Sequence, residues 1–326
     1  MAADLNADFA GDPSSNVAQT SEALHFSSRA GLLLGALAII CWSFGAALVF
    51  LGAQQTGLWP FVTIASLTGG ILQLIARQLT HGELRSALLL PWRLWVGPVL
   101  CFVLYGLAWP FALATSTTRQ VVGVSLINYL WPVLTVFFSV WWVPGVRLTP
   151  RLIAAFGLAL AGLALANYKN LQDLFSGLSG HAPTLRHFLP YILAAVAAIT
   201  WAVYSVLLVL WRSWARNCIT SPIGFILIGL IGGLVMIATD TLPRALTGLG
   251  TLMTVLYGVG PLAAGYLLWE LALPKARVQT LSLFGAAIPV LSTLLLCFCV
   301  HRPPGVELLC AVALLAGAVV LSLWEK

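Results

Sequence analysis

The sequence predicts an all-α polytopic membrane protein: ten transmembrane helices arranged as two inverted five-helix repeats around a central cavity, with both termini cytoplasmic. Three observations carry this. Only 8% of the 326 residues are charged while 60% are hydrophobic, and the mean hydropathy is +0.97; an ordinary soluble domain carries about a quarter charged residues. Apolar runs long enough to cross a hydrocarbon layer of roughly 30 Å recur along the whole chain, joined by short connections. The two halves also match each other at a shift of roughly 155 to 160 residues: Trp42 falls on Trp201, Trp109 on Trp269 and Pro132 on Pro289.

The chain opens on a flexible acidic tail, residues 1–29, in which Asp4, Asp8, Asp12 and Glu22 face only Arg29. It lacks the basic start and the immediate apolar stretch of a secretory signal, so the first helix is expected to be retained. Repeat 1 spans residues 30–168, with membrane helices expected at Gly31–Leu51, Trp59–Arg77, Leu94–Thr115, Val121–Trp142 and Leu152–Tyr168. A linker, 169–187, carries Leu171, Leu174, Phe175 and Leu178 at helical spacing, which suits a turn of helix lying on the membrane surface. Repeat 2 spans 188–326, with helices at Leu189–Trp211, Pro222–Thr239, Leu249–Glu270, Gln279–Val300 and Val306–Trp324. Five spans per half is an odd number, so equivalent helices cross the bilayer in opposite directions.

Orientation follows from the cations. Arg119, Lys169, Arg186, Arg244 and Arg302 fall on one set of alternate connections, and the rest of the 16 Lys and Arg fall on the other, which is therefore cytoplasmic. The net charge of +6 is scattered singly and in pairs at span ends, which argues against a nucleic-acid partner. Cys41, Cys101, Cys297, Cys299 and Cys310 lie inside apolar runs without disulfide or metal spacing and read as small buried hydrophobes. No enzyme motif of the H-E-x-x-H, G-x-S-x-G or phosphate-loop type occurs, and no metal or cofactor site is expected.

The candidate chemistry sits at mid-span. Most Trp residues lie at span ends, as an aromatic belt does, but Trp42, Trp131 and Trp201 fall near the middle, where an indole N–H finds no headgroup. Simple helix packing is the alternative for each one; three at one depth point to a cavity. Pro132 and Pro289 lie near mid-span in matching positions, where each removes a backbone donor, bends its helix and frees carbonyls for a central site. Asn128 and Tyr129 precede Trp131; an amide so deep is costly unless it meets another helix or a ligand.

Tyr105 and Trp109 share a helix face on the third span, and Trp201, Tyr204 and Ser205 do so on the sixth. Such aromatic faces with few charges suit a flat apolar group flanked by small polar ends. Trp109 lies toward the outer side and Trp269 toward the inner, as paired gate elements. Glu270, at a cytoplasmic span end, pairs with Lys275 or Arg277 on the simplest reading. No Asp, Lys, Arg or His lies at mid-span, which favours downhill movement over a proton relay and disfavours phosphorylated substrates. Gly157 with Ala161, and Ala313 with Gly317, give the fifth and tenth spans small-residue spacing for helix packing, which leaves a monomer and a weak homodimer both open.

Trp42-Ser43 in the first span and Asn128-Tyr129-Leu130-Trp131-Pro132 in the fourth, on a ten-helix duplicated frame, resemble the drug/metabolite transporter superfamily in its EamA-like branch. The five-residue run is similar to that of the YddG-type aromatic amino-acid exporters. This resemblance covers nearly all of the chain after the acidic tail. It implies a basket of helices with spans five and ten at the periphery, in a bacterial inner membrane. It also implies export of amino acids, aromatic ones above all, with Trp42, Asn128, Tyr129, Trp131 and Pro132 carried over together with Trp201 and Pro289. Export of other neutral metabolites or drugs is one alternative; a non-transporting protein such as a lipid scramblase or scaffold is another.

Overall fold

In a computed structural model the described residues are 28–81, 92–116, 124, 127–166, 168, 185–211, 220–241, 248–299 and 305–323. The acidic tail before Ser28, most of the linker and the basic connection after Trp211 lie outside them. The described residues form helices and turns, without strands. In chain order the helices are α1 (Arg29–Ser43), α2 (Gly45–Thr56), α3 (Leu58–His81), α4 (Leu100–Thr115), α5 (Trp131–Trp142), α6 (Pro150–Ala166), α7 (Leu185–Leu210), α8 (Ser221–Ala238), α9 (Gly248–Tyr257), α10 (Tyr266–Ala272), α11 (Val278–Gly285), α12 (Ile288–Cys299) and α13 (Val306–Leu323).

Five stretches are long and apolar enough to cross a membrane: Leu58–Leu79, Trp95–Ala112, Phe188–Leu210, Ser221–Ala238 and Gly248–Ala272. Five further apolar helices are shorter, and three of these belong to expected spans that the structure interrupts. The first span breaks at Phe44, the fourth at Tyr129 and Leu130, the ninth at Ala286 and Ala287. The outward faces are greasy: Leu33, Leu37 and Ile40 on α1, Ile71, Ile75 and Leu79 on α3, and Leu230, Leu234 and Ile237 on α8 are all exposed. A surface of this kind needs lipid rather than water against it.

Two long helices, α3 and α8, pack along each other, and α6 packs along α13. In the same way α7 lies against α4, while α1 lies against α10 and the segment before it. The α6–α13 seam is aliphatic, built from Ala155, Ala159, Ala311, Leu315 and Ala318. Its close approach occurs at Gly162, where a Cβ would come within 3.1 Å of the Ala311 carbonyl. Gly157, Ala161, Ala313 and Gly317, the small-residue pairs of these two helices, are exposed and lie outside this seam.

Two spans contain widened π-helical turns around a proline, Trp95–Val99 with Pro98 and Gly258–Gly265 with Pro261. A proline inside a helix clashes with the preceding turn and supplies no N–H, and a wider turn relieves both faults. Pro132 and Pro289 act differently from the bend expected of them. Each lies in the first turn of a helix that starts afresh, α5 and α12, where the missing N–H has no intrahelical partner to lose. The interruption precedes the proline in both. Cys41 and Cys101 are half-buried and Cys310 is exposed, so the thiols do not form part of the core; the side chains of Cys297 and Cys299 lie outside the described residues.

Candidate functional site

Trp42 on α1, Trp131 on α5, Trp201 on α7 and Trp269 on α10 point toward one another from four helices. Trp42 lies 5.6 Å from Trp201 and 5.3 Å from Trp269 between ring centroids; Trp131 lies 6.0 Å from Trp201 and 5.8 Å from Trp269. Most of these pairs are edge-to-face, the arrangement that the aromatic quadrupole favours. Trp131, Trp201 and Trp269 are buried, and Trp42 is half-buried. Tyr105 joins Trp201 at 4.9 Å, and Tyr204 joins it at 5.2 Å.

Small residues permit this convergence. A Cβ on Gly265 would stand 2.7 Å from the Trp42 indole nitrogen, and one on Gly285 would enter the Trp131 ring. Both glycines therefore work by close approach rather than by unusual backbone torsion. Phe102, Phe225 and Tyr266 extend the cluster, with Tyr266 5.0 Å from Trp42 and 5.2 Å from Phe102. Phe102 and Phe225 look like ordinary apolar residues in sequence, and no local signal marks them. Tyr266 stands one helical turn before Glu270 on the same helix, α10.

The remaining candidates divide. Asn128 is 4% exposed, and its Oδ1 is buried without a hydrogen-bond partner. Tyr129 is half-buried in the turn before α5. Trp109 lies away from the indole cluster, against Ala112, Val124 and Ala194 with Ile127 and Tyr191. The structure thus separates it from Trp269, which sits among the other indoles, because Trp109 faces the side of α4 turned to the start of α7.

Polar chemistry gathers around the widened turn. The Trp42 indole N–H donates to the Pro261 carbonyl at 3.1 Å. Gln73 Nε2 on α3 donates to the carbonyls of Leu262 and Ala263 at 2.9 and 3.2 Å. Carbonyls released by the irregular turn are thus satisfied from two neighbouring helices, as buried backbone groups must be. Ser221 Oγ then donates to Gln73 Oε1 at 2.5 Å. On the next turn, Glu270 Oε1 accepts from Tyr204 Oη, from Thr220 Oγ1 at 3.0 Å and from the Ser221 backbone N–H at 2.9 Å. Its partners are thus hydroxyls and an amide 49 to 66 residues away, not Lys275 or Arg277. The chain turns after Ala272, whose carbonyl accepts from the Lys275 and Ala276 N–H groups.

A lateral groove of about 360 Å³ opens between α1 and α12, lined by Ile40, Ser43, Phe44, Leu291, Leu294 and Leu295. Its lining is almost wholly apolar. Ser292 Oγ donates to the Ser43 carbonyl there at 3.0 Å, closing one end of the break in the first span. No group of three or more His, Cys, Asp or Glu capable of holding a metal occurs among the described residues.

The chain is 31% identical over 302 residues to the aromatic amino acid exporter YddG of Ancylobacter novellus, covering 91% of this chain and 98% of that protein. It is 25% identical to the protein of the same name from Salmonella typhimurium, covering 85% of this chain and 91% of that one. A solved crystal structure superposes with a TM-score of 0.74 at 29% identity, over 91% of this chain and 98% of that chain. No family model matches the sequence.

Proposed function

The chain belongs to the YddG family of exporters, in the drug/metabolite transporter superfamily, and from that premise we propose that it carries aromatic or large neutral amino acids across the bacterial inner membrane by alternating access, as a facilitator. A multi-pass membrane protein with a small-molecule substrate is the frame for this reading. The observation that carries it is the convergence of Trp42, Trp131, Trp201 and Trp269 from four helices. A flat side chain slides between indole faces with little desolvation cost, since edge-to-face partners can be exchanged for a ligand ring. Tyr105 and Tyr204 border that space, and Asn128, with Tyr129 beside it, offers its unpartnered Oδ1 to the polar end of the ligand.

Ten spans in two inverted repeats are part of the proposal. The interruptions before Pro132 and Pro289, and the widened turns at Pro98 and Pro261, occur in matching places of the two halves. The contacts pair likewise: α1 against α10 corresponds to α7 against α4. Interrupted helices at the midplane concentrate backbone polarity where a carrier binds its cargo, and rocking of one half against the other exposes that place to each side in turn. The lateral groove offers no polar path for a lipid headgroup, which weighs against a scramblase.

The test is uptake by purified protein in liposomes, with labelled amino acids spanning aromatic, aliphatic and charged side chains and with no ion gradient. Aromatic substrates should move fastest. Trp131→Ala and Asn128→Ala should each reduce that flux by about tenfold or more while membrane yield is retained. Equal flux of all amino acids, or of none, would remove the substrate assignment.

A further inference from the structure

Among the described residues Glu270 is the one acid inside a span; Asp240 and Glu307 stand at helix ends. One of its oxygens is fully engaged, by Tyr204 from α7 and by Thr220 and Ser221 from the start of α8. The other, Oε2, is buried and has no hydrogen-bond partner. No Lys, Arg or His among the described residues pairs with it. Gln73, the nearest polar group from α3, is held by Ser221 and by the carbonyls of Leu262 and Ala263.

Two more polar atoms close by in sequence are buried without partners: the Trp269 indole N–H, on the residue before Glu270, and Ser205 Oγ, on the residue after Tyr204. The three are carried by neighbouring residues of two helices that the Tyr204–Glu270 hydrogen bond ties together. One anionic acceptor and two neutral donors form the complement of a zwitterion. An unpaired polar atom in an apolar interior is costly, and an unpaired carboxylate oxygen more so, unless a ligand completes it.

We propose that Glu270 Oε2 receives the α-ammonium group of the amino-acid substrate, with the Trp269 N–H and the Ser205 hydroxyl facing its carboxylate, a reading that rests on the aromatic amino-acid function proposed above. Tyr204, Thr220 and the Ser221 amide hold Oε1 and so fix the carboxylate with its second oxygen available to a cation. A charge-assisted bond of this kind is strong because water is excluded from it. The neighbouring rings of Trp201, Trp42 and Tyr266 then take the substrate side chain, and the ammonium sets which end of the molecule faces the cytoplasmic half.

The experiment uses full-length protein in lipid nanodiscs and calorimetric binding of three probes: phenylalanine, phenethylamine with its ammonium alone, and 3-phenylpropionate with its carboxylate alone. Wild-type protein should bind both amines in preference to 3-phenylpropionate. Glu270→Gln, which keeps the size of the side chain and an acceptor oxygen, should weaken both amines by about tenfold or more and leave 3-phenylpropionate within about twofold. Retained 3-phenylpropionate binding reports that the variant is folded. An unchanged preference in Glu270→Gln overturns the proposal. So does a variant altered only in the pH dependence of its binding, which would assign Oε2 to a proton. Wild-type protein that binds none of the three probes removes the amino-acid function itself, and the proposal with it.

Discussion

Trp109 and Trp269 occupy matching places in the two halves of the chain, yet their surroundings have little in common. Trp109 is half-buried in a small aliphatic cluster with Ala112, Val124 and Ala194. Trp269 is fully buried among three other indoles, and the next residue is a carboxylate where Trp109 is followed by Pro110. Positions that match in sequence thus differ in what surrounds them, and the hydrogen-bonded joint around Glu270 stands beside Trp269.

The sharpest way to break this comparison is to truncate both indoles. Trp269→Ala should cost about 3 to 5 kcal/mol, the usual range for removing a buried large ring, and Trp109→Ala about 1 to 2 kcal/mol. Thermal unfolding in one detergent measures both; equal losses would mean that the two environments are energetically alike. Gln73→Leu comes next, since it deletes three hydrogen bonds and leaves the Leu262 and Ala263 carbonyls open, for about 2 to 3 kcal/mol in the same assay. Trp42→Phe keeps an aromatic ring, though a smaller one, removes the bond to the Pro261 carbonyl, and should lower stability by about 1 to 2 kcal/mol. Pro132→Ala and Pro289→Ala should change stability least, within about 0.5 kcal/mol, because both prolines lie in first turns. A large loss from either would restore the bent-helix reading.

The order of those effects follows what could and could not be seen in the sequence. Apolar stretches and mid-span indoles were legible because hydropathy and depth are local properties of a segment. The inward direction of Trp42, Trp131 and Trp201 followed from their depth alone. The break at Phe44, with Gly45 directly after it, was not legible because what holds it is distant in sequence: the Ser43 carbonyl is satisfied by Ser292, 249 residues away. Glu270 was misjudged for the same reason. Its nearest cations in sequence suggested an ion pair, whereas its partners come from two helices that only the tertiary fold brings alongside. Small-residue spacing marked α6 and α13 as packing helices, and the seam between them runs along a different face from the exposed Gly157 and Gly317.

The widened turn at Gly258–Gly265 also sets the angular bearing of everything that follows it. An α-helix advances about 100° per residue and a π turn holds one residue more than an α turn, so rewinding the same residues as regular α-helix would swing α10 by about that angle. Trp269 would leave the indoles, and Glu270 would leave Tyr204. A single backbone irregularity eight residues long thus acts as the compass of the joint, and rewinding it as regular α-helix would misdirect the joint without altering any side chain it contains.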